Sequence, residues 1–543
     1  MKNTHTISGV IIDIENRTQY GAVITIEKGR IAHIKQEPNV RHPYIVPGFV
    51  DAHVHVESSM LIPSRFAEMA LQHGTVGVVT DPHEVGNVAG IPGIEFMIAD
   101  GATVPMQFFF GAPSCVPASP LEKSGAVITA ADVDEMMRRP EFYFLSEMMN
   151  FPGVVHDDPE VHQKLRSAQN MNKPIDGHAP GLSGDGLKKY AHAGIHTDHE
   201  CSTLEEAIEK LELGMKILIR EGSAAKNFDN LISLMKPYSD NLMFCTDDCH
   251  PDYLKQGHIN KLVSRAVKAG FDLYDVLKVA CINPVKHYHL PVGLLKVGDR
   301  ADLAVVDNPE DFKVLSTYVA GVPVYEGGEV QFTLSAALAP AFPFRGKHES
   351  GHLKVTAKGN FVNTIKAIDG ELITGWEKHP CTAEEEVKIQ PEADFLKLVL
   401  LDRYEDTAPV VAFIKGFGMK EGALACSVAH DSHHIVAVGC DDASIDKALH
   451  WVVESQGGMC VVNGGEVEGI ALPYFGLMTD KSGRETAKDY EQLSQKALAC
   501  GSHLSSPFMT LSFMALTVIP HLKINHNGLF DGQTFQSVSL FSD

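Results

Sequence analysis

The chain has 543 residues, enough for two to four domains at roughly 100–200 residues each, and its 44% hydrophobic and 21% charged residues are an ordinary globular composition. The formal net charge is −23, from 69 acidic against 46 basic residues. That excludes a general nucleic-acid binder, because a phosphate backbone needs a basic surface, but it leaves open a small ligand that carries no phosphate.

The start of the chain alternates and turns, and no basic segment precedes an apolar core, so no signal peptide is expected. Residues 1–47 read as short strands, Val10–Ile14, Gly21–Glu27 and Arg30–Lys35, with a hairpin turn at Lys28-Gly29. This piece is too small to hold a core. A matching set lies downstream at Ala301–Asp307, Thr317–Ala320 and Val322–Glu326, followed by Gly327-Gly328. Segments 1–47 and 291–345 are therefore assigned to one small β-sandwich, split by the domain between them.

From 48 to 290, short apolar strands alternate with amphipathic helices. Strands are predicted at Val50–His55, Thr75–Asp81, Met106–Gly111, Phe142–Met148, Pro174–His178, Gly194–His199, Met215–Glu221 and Leu242–Asp247. Helices are predicted at Pro63–Gln72, Ala131–Arg138, Glu160–Met171, Thr203–Leu213 and Lys261–Ala269. Such alternation implies an α/β fold with a parallel sheet. Eight units in roughly 240 residues match a (β/α)8 barrel of the TIM type. An open doubly wound sheet is the alternative. The barrel is preferred because polar residues sit at the C-terminal end of nearly every strand, where such barrels gather their active sites. Residues 346–543 carry further strands, Gly-rich turns at Gly457-Gly458 and Gly464-Gly465, and two or three helices, and read as a C-terminal α+β domain. The longest apolar runs, Met215–Ile219 and Phe508–Ile519, fall short of the ~20 residues of a membrane helix. The ten cysteines form no C-x-x-C pair, which fits free thiols in a reducing cytoplasm.

The first chemical signal is Val50-Asp51-Ala52-His53-Val54-His55. Alternate residues of a strand point the same way, so His53 and His55 project together and can bind one metal through imidazole nitrogens. Two unrelated core histidines are the plain alternative. Against it, Glu147, His178, His199 and Asp247 each close a later apolar strand. A carboxylate buried at such a position is costly without a partner, and a divalent cation is one. For any one of these residues a helix cap or loop position is the ordinary reading; their joint occurrence at successive strand ends is not ordinary. The imidazole and carboxylate set suits Zn²⁺, Mn²⁺ or Fe²⁺. Glu147 is placed to bridge two ions ~3.5–4 Å apart, where a water loses its proton near neutral pH. Asp247 is then free to shuttle protons.

These residues resemble the amidohydrolase superfamily and, within it, the bacterial adenine deaminase family. The matching segments are His53 to Met60, Thr80-Asp81-Pro82-His83-Glu84, Leu145 to Asn150, Asp176 to Leu182, Asp198-His199-Glu200-Cys201, Arg220-Glu221-Gly222-Ser223 and Thr246-Asp247-Asp248, and the likeness runs through the C-terminal domain. Many superfamily members place a carboxylated Lys on strand four; here Glu147 stands there, as in the adenine deaminase branch. The resemblance implies hydrolytic deamination of adenine to hypoxanthine and ammonia in purine salvage, by attack of metal-activated hydroxide on C6. It implies His53, His55, Glu147, His178, His199 and Asp247 as ligands of a pair of Mn²⁺ ions (Fe²⁺ or Zn²⁺ in their place), with Glu147 and Asp247 also catalytic. Glu57, Ser58, Arg220, Glu221 and Ser223 are expected to hold the purine. Arg220 and Glu221 forming an ordinary ion pair at the strand rim is the alternative. His83 and Glu84 are expected to bind an extra metal or a substrate edge, or else to form a supporting hydrogen-bonded pair. His430, His433 and His434, in the run Ala429 to His434, are expected to serve structure or a lid. Partners are expected to be adenine and further copies of the chain, a homodimer or larger, with no membrane.

Two other chemistries are set aside. The zinc deaminases with an H-x-E…P-C-x-x-C signature match only at His55-Val56-Glu57, and no P-C-x-x-C follows. A cyclic-amide hydrolase of the dihydropyrimidinase kind is disfavoured by Glu147. A metal-free assembly platform on the same scaffold is disfavoured by the complete ligand set.

Overall fold

A computed structural model describes residues 4–119, 121–223, 225–335 and 337–543. The chain opens on β1 (Thr4–Asp13), β2 (Thr18–Glu27), β3 (Arg30–Gln36) and β4 (Tyr44–Pro47). The β2–β3 turn has Lys28 at φ 51° and Gly29 at φ 78°. Positive φ at both central residues is what a two-residue turn needs to follow the strands' right-handed twist.

Eight parallel strands follow: β5 (Phe49–Val54), β6 (Thr75–Thr80), β7 (Gln107–Ala112), β8 (Phe142–Met148), β9 (Ile175–Gly177), β10 (Thr197–Asp198), β11 (Lys216–Arg220) and β12 (Leu242–Cys245). They form one arc of five strands and one of three. Both seams close through the backbone. His196 N–H donates to Ile175 O at 2.9 Å on one side, and Asp247 N–H to His53 O at 2.9 Å on the other. The barrel is thus complete, with all eight predicted strands in place. β5, β6 and β12 are buried at every residue, as expected of a parallel sheet covered on both faces. β9 and β10 are shorter than the predicted Pro174–His178 and Gly194–His199. They run so close that a Cβ on Gly177 would lie 2.3 Å from Thr197 O, and the chain leaves the ladder as soon as it reaches the polar residues beyond.

After the barrel, β13 (Leu303–Val306), β14 (Val314–Val319), β15 (Val322–Glu326) and β16 (Glu329–Val330) rejoin the N-terminal piece. The two pieces meet as one continuous eight-stranded sheet, because β4, not singled out in the sequence, pairs with both β1 and β13. Ile7, Ile24 and Ile26 from one end share a core with Leu303 and Val305 from the other.

The C-terminal region builds a nine-stranded sheet, with Leu396–Leu401 and Ile435–Gly439 central. One face is covered by the helix Asp442–Glu454 through Ile445, Leu449 and Val452. The other face shares a single hydrophobic core with the barrel. Backbone hydrogen bonds tie the two regions together at the barrel mouth: Thr479 N–H to Met60 O at 2.8 Å, and Ile62 N–H to Thr479 O at 3.2 Å.

Candidate active site

The C-terminal ends of the strands converge on one buried polar cluster. His53 and His55 do point the same way, and their Nε2 atoms lie 3.2 Å apart, so at least one of the two presents a lone pair. His55 Nε2 is 3.3 Å from Glu147 Oε1 and 3.1 Å from Asp247 Oδ1. The other oxygen of Glu147 is 2.8 Å from His178 Nδ1 and 3.1 Å from His199 Nε2. Glu147 thus stands between two imidazole pairs with one oxygen toward each, as a carboxylate shared by two cations would. His199 Nε2, which faces this cluster, is buried without a hydrogen bond among the described residues. Orphaned buried nitrogens are costly, and a divalent cation at this donor set removes that cost. His53, His55 and Asp247 offer ligand atoms within 4.8 Å of one another; so do His53, Glu147 and His199.

Asp247 occupies the left-handed region, φ 55°, which residues other than glycine seldom adopt. The barrel seam holds it there: its N–H donates to His53 O, and its carbonyl accepts the His55 N–H at 3.2 Å. Burial alone would push its carboxyl up in pKa. Arg220, with His55 and His199, instead holds it well below the usual carboxylate range. Arg220 donates to both Asp247 and Glu200, the second bond to Glu200 measuring 3.2 Å. Burial likewise opposes ionisation of Glu147, and His178 and His199 overcome it.

The other expected substrate contacts are distributed unevenly. Arg220, His83 and Glu84 line the cavity above the cluster. His83 Nδ1 lies 3.0 Å from Asp81 Oδ2 and 3.5 Å from Glu147 Oε1. Glu84 turns to His430 and His433. Glu57 lies behind the wall, one oxygen accepting the Val85 N–H at 3.1 Å, and burial raises its carboxyl to about 7. Ser58 donates to Asp248, which itself faces the cavity. The Ser223 hydroxyl accepts the His250 N–H at 2.8 Å and orders the loop rather than the cavity wall. Glu221 faces outward to Arg265 at 3.0 Å, so it and Arg220 do not pair with each other. His434 contacts Lys123 O at 3.0 Å.

Glu200 and Asp248 stand in the sequence only as members of matching segments without a site role, although each directly follows a predicted ligand. The cover is the larger surprise. Leu372, Phe513, Leu516, Val518 and Ile519, with His430 and Asp431, close the cavity from the C-terminal region. The space left is about 30 Å³, room for a water or two. A roomier cavity of about 770 Å³ lies beside the strand starts, lined by Lys173, His196, Lys216 and His287. The histidine and carboxylate cluster forms the floor of the smaller one, which is therefore the candidate site.

Barrel and floor together define a metal-dependent hydrolase of the amidohydrolase class, and residues 44–324 match the Amidohydrolase family. Residues 371–536 match the adenine deaminase C-terminal domain. Adenine deaminases of Methanosarcina mazei and Salinibacter ruber are each 47% identical to this chain, covering 98% and 100% of it and 99% and 100% of their own lengths. That of Borreliella burgdorferi is 45% identical over 96% of this chain and 97% of its own. The chain belongs to the adenine deaminase family.

Proposed function

We propose that this chain hydrolyses adenine to hypoxanthine and ammonia. The observation that carries the reading is Glu147 set between two histidine pairs, with Asp247 against the same cluster. Family membership supports a divalent metal, and the nitrogen and oxygen donors suit a pair of Mn²⁺ or Fe²⁺ ions, with Zn²⁺ also compatible. When bound, such a pair supplies a water that ionises near neutral pH. His53, His55, Glu147, His178 and His199 are the residues that would hold it.

The chain's own groups do the rest. Arg220 grips one oxygen of Asp247 and leaves the other on the His55 side, free to take the water's proton and pass it to the departing ammonia. Glu200 keeps Arg220 in that grip. The apolar cover suits the faces of a purine and excludes bulk water from the reacting carbon. Ten free cysteines are compatible with a cytoplasmic place in purine salvage. No helix among the described residues is long and apolar enough to cross a membrane.

The test is ammonia release by the full chain, loaded with Mn²⁺, from adenine, adenosine and dihydrouracil. Turnover of adenine above the other two is expected. Turnover of dihydrouracil without adenine would overturn the assignment.

A further inference from the structure

The C-terminal run Ala429 to His434 reaches into the active site by a specific grip. Glu84 receives His430 on one oxygen and His433 on the other, all three almost fully buried. The three have the spacing of a metal-ligand group. The tautomer of His433 points instead to a hydrogen-bonded clamp. The Ala429 N–H donates to His433 Nδ1 at 3.1 Å, which makes Nδ1 the lone pair and leaves the ring proton on Nε2, facing Glu84. A metal at Nε2 would have to displace that proton.

The clamp fixes the residue between them. Asp431 is 4% exposed and lines the cavity, and its Oδ2 is buried with no hydrogen-bond partner among the described residues. Its Oδ1 lies 3.9 Å from His83 Nε2, while the other nitrogen of that ring is 3.5 Å from Glu147 Oε1. Asp431 therefore sits about one imidazole beyond the carboxylate at the centre of the metal floor. A purine with its C6 over that floor and its five-membered ring turned to the cover would bring a ring N–H to Asp431.

We propose that Asp431 is a substrate-binding residue lent to the barrel by the C-terminal region, that it accepts the ring N–H of the free base, and that Glu84 is the positioning residue that sets it. The inference rests on the purine reading above. A free purine carries a ring N–H that an N9-substituted one lacks. A buried carboxylate without a donor is costly, and the free base supplies one. A ligand without that N–H leaves the oxygen unpaired, which is how a polar site rejects an analogue more strongly than an apolar pocket can.

The experiment uses the full, metal-loaded chain with Asp431→Ala and Asp431→Asn. It measures kcat and KM for adenine and for 9-methyladenine, calorimetric affinity for hypoxanthine, and bound metal. For Asp431→Ala we expect kcat/KM for adenine to fall about 10- to 100-fold, chiefly through KM. Hypoxanthine affinity should fall with it, and bound metal should stay unchanged. The preference for adenine over 9-methyladenine should shrink. Asp431→Asn keeps the size and one acceptor oxygen, so it should lie between wild type and Ala, and it serves if Ala fails to fold. An Ala or Asn variant with wild-type KM and an unchanged preference would overturn the inference, as would loss of metal. If the wild type releases no ammonia from adenine, the purine reading fails at that step, and the hypoxanthine titration still tests Asp431.

Discussion

The floor of the catalytic cavity is made by one element type and its cover by another. Each floor residue closes a barrel strand, and the strand ladder fixes where it points; even the strained φ of Asp247 is held by backbone bonds across the seam. The cover is assembled from segments near Leu372, His430 and Phe513, far apart in sequence, and it meets the barrel's polar residues at Glu84, at Glu122 through Thr517 and at Lys123 through His434. A floor of this kind gives rigid ligand geometry. With about 30 Å³ beneath it, the closed cover leaves less room than a purine needs, and it is expected to move when substrate enters. Damage to the floor should therefore abolish chemistry, and damage to the cover should alter admission and binding.

The largest effect is expected at Asp247. Asp247→Asn keeps the shape but cannot take a proton, and general acid–base work is worth about 10²–10⁴-fold in rate. Ammonia release should fall by at least that much while metal analysis still finds bound ions. Near-normal turnover would remove the proton shuttle from the floor. Arg220→Met comes next. It strands Asp247 and Glu200 as two buried carboxylates, and breaking a buried pair costs on the order of 3–5 kcal/mol. The melting temperature should drop, and the acid limb of the pH–rate profile should move upward, because Asp247 loses the cation that depresses it. An unshifted limb would mean that another group governs that limb.

The same division decides what is legible in the amino-acid sequence. His53 and His55 were legible from their two-residue spacing, and Glu147, His178, His199 and Asp247 from the apolar runs they close, because a parallel strand fixes both direction and depth. All eight strands were placed, with β9 and β10 drawn too long because tight packing at Gly177 cuts the ladder short. β4 escaped notice since it is four residues long and finds its pairing only across the whole barrel. Ser58 and Glu57 were legible as part of a motif but not as lying behind the wall, since a turn after a strand has no period to set its direction. Of the cover, only the histidine run Ala429 to His434 was legible, as structure or a lid; Leu516, Val518 and Ile519 lie in an apolar run that has no period to set a direction, and only tertiary packing turns them toward the cavity.

The smallest effect expected, and the sharpest test of how floor and cover are joined, is at the clamp. Glu84→Gln offers one good acceptor where two imidazoles donate, a loss of about 1–3 kcal/mol. Its pH dependence has a definite sign. Burial works against a charged His430, but Glu84 and Asp248 raise it from 6.5 to about 9, so the protonated ring is favoured in the folded chain. The stability this contributes is complete below about pH 6.5, declines above it, and is gone once pH passes about 9. On the acid side, burial depresses His433 to about 4, so below pH 6.5 the unfolded chain takes up a proton that the folded chain refuses, and stability erodes there too. Glu84 holds His433 up against burial, so the variant shares this acid-side loss. The melting temperature of wild type should therefore exceed that of Glu84→Gln by its full margin at pH 6.5 and no less just below it, and the gap should close toward pH 9. A gap that stays constant from pH 6.5 to 9 would mean that Glu84 holds the cover through neutral hydrogen bonds alone, with His430 uncharged. In that case the cover would be no harder to lift at neutral pH than in alkali.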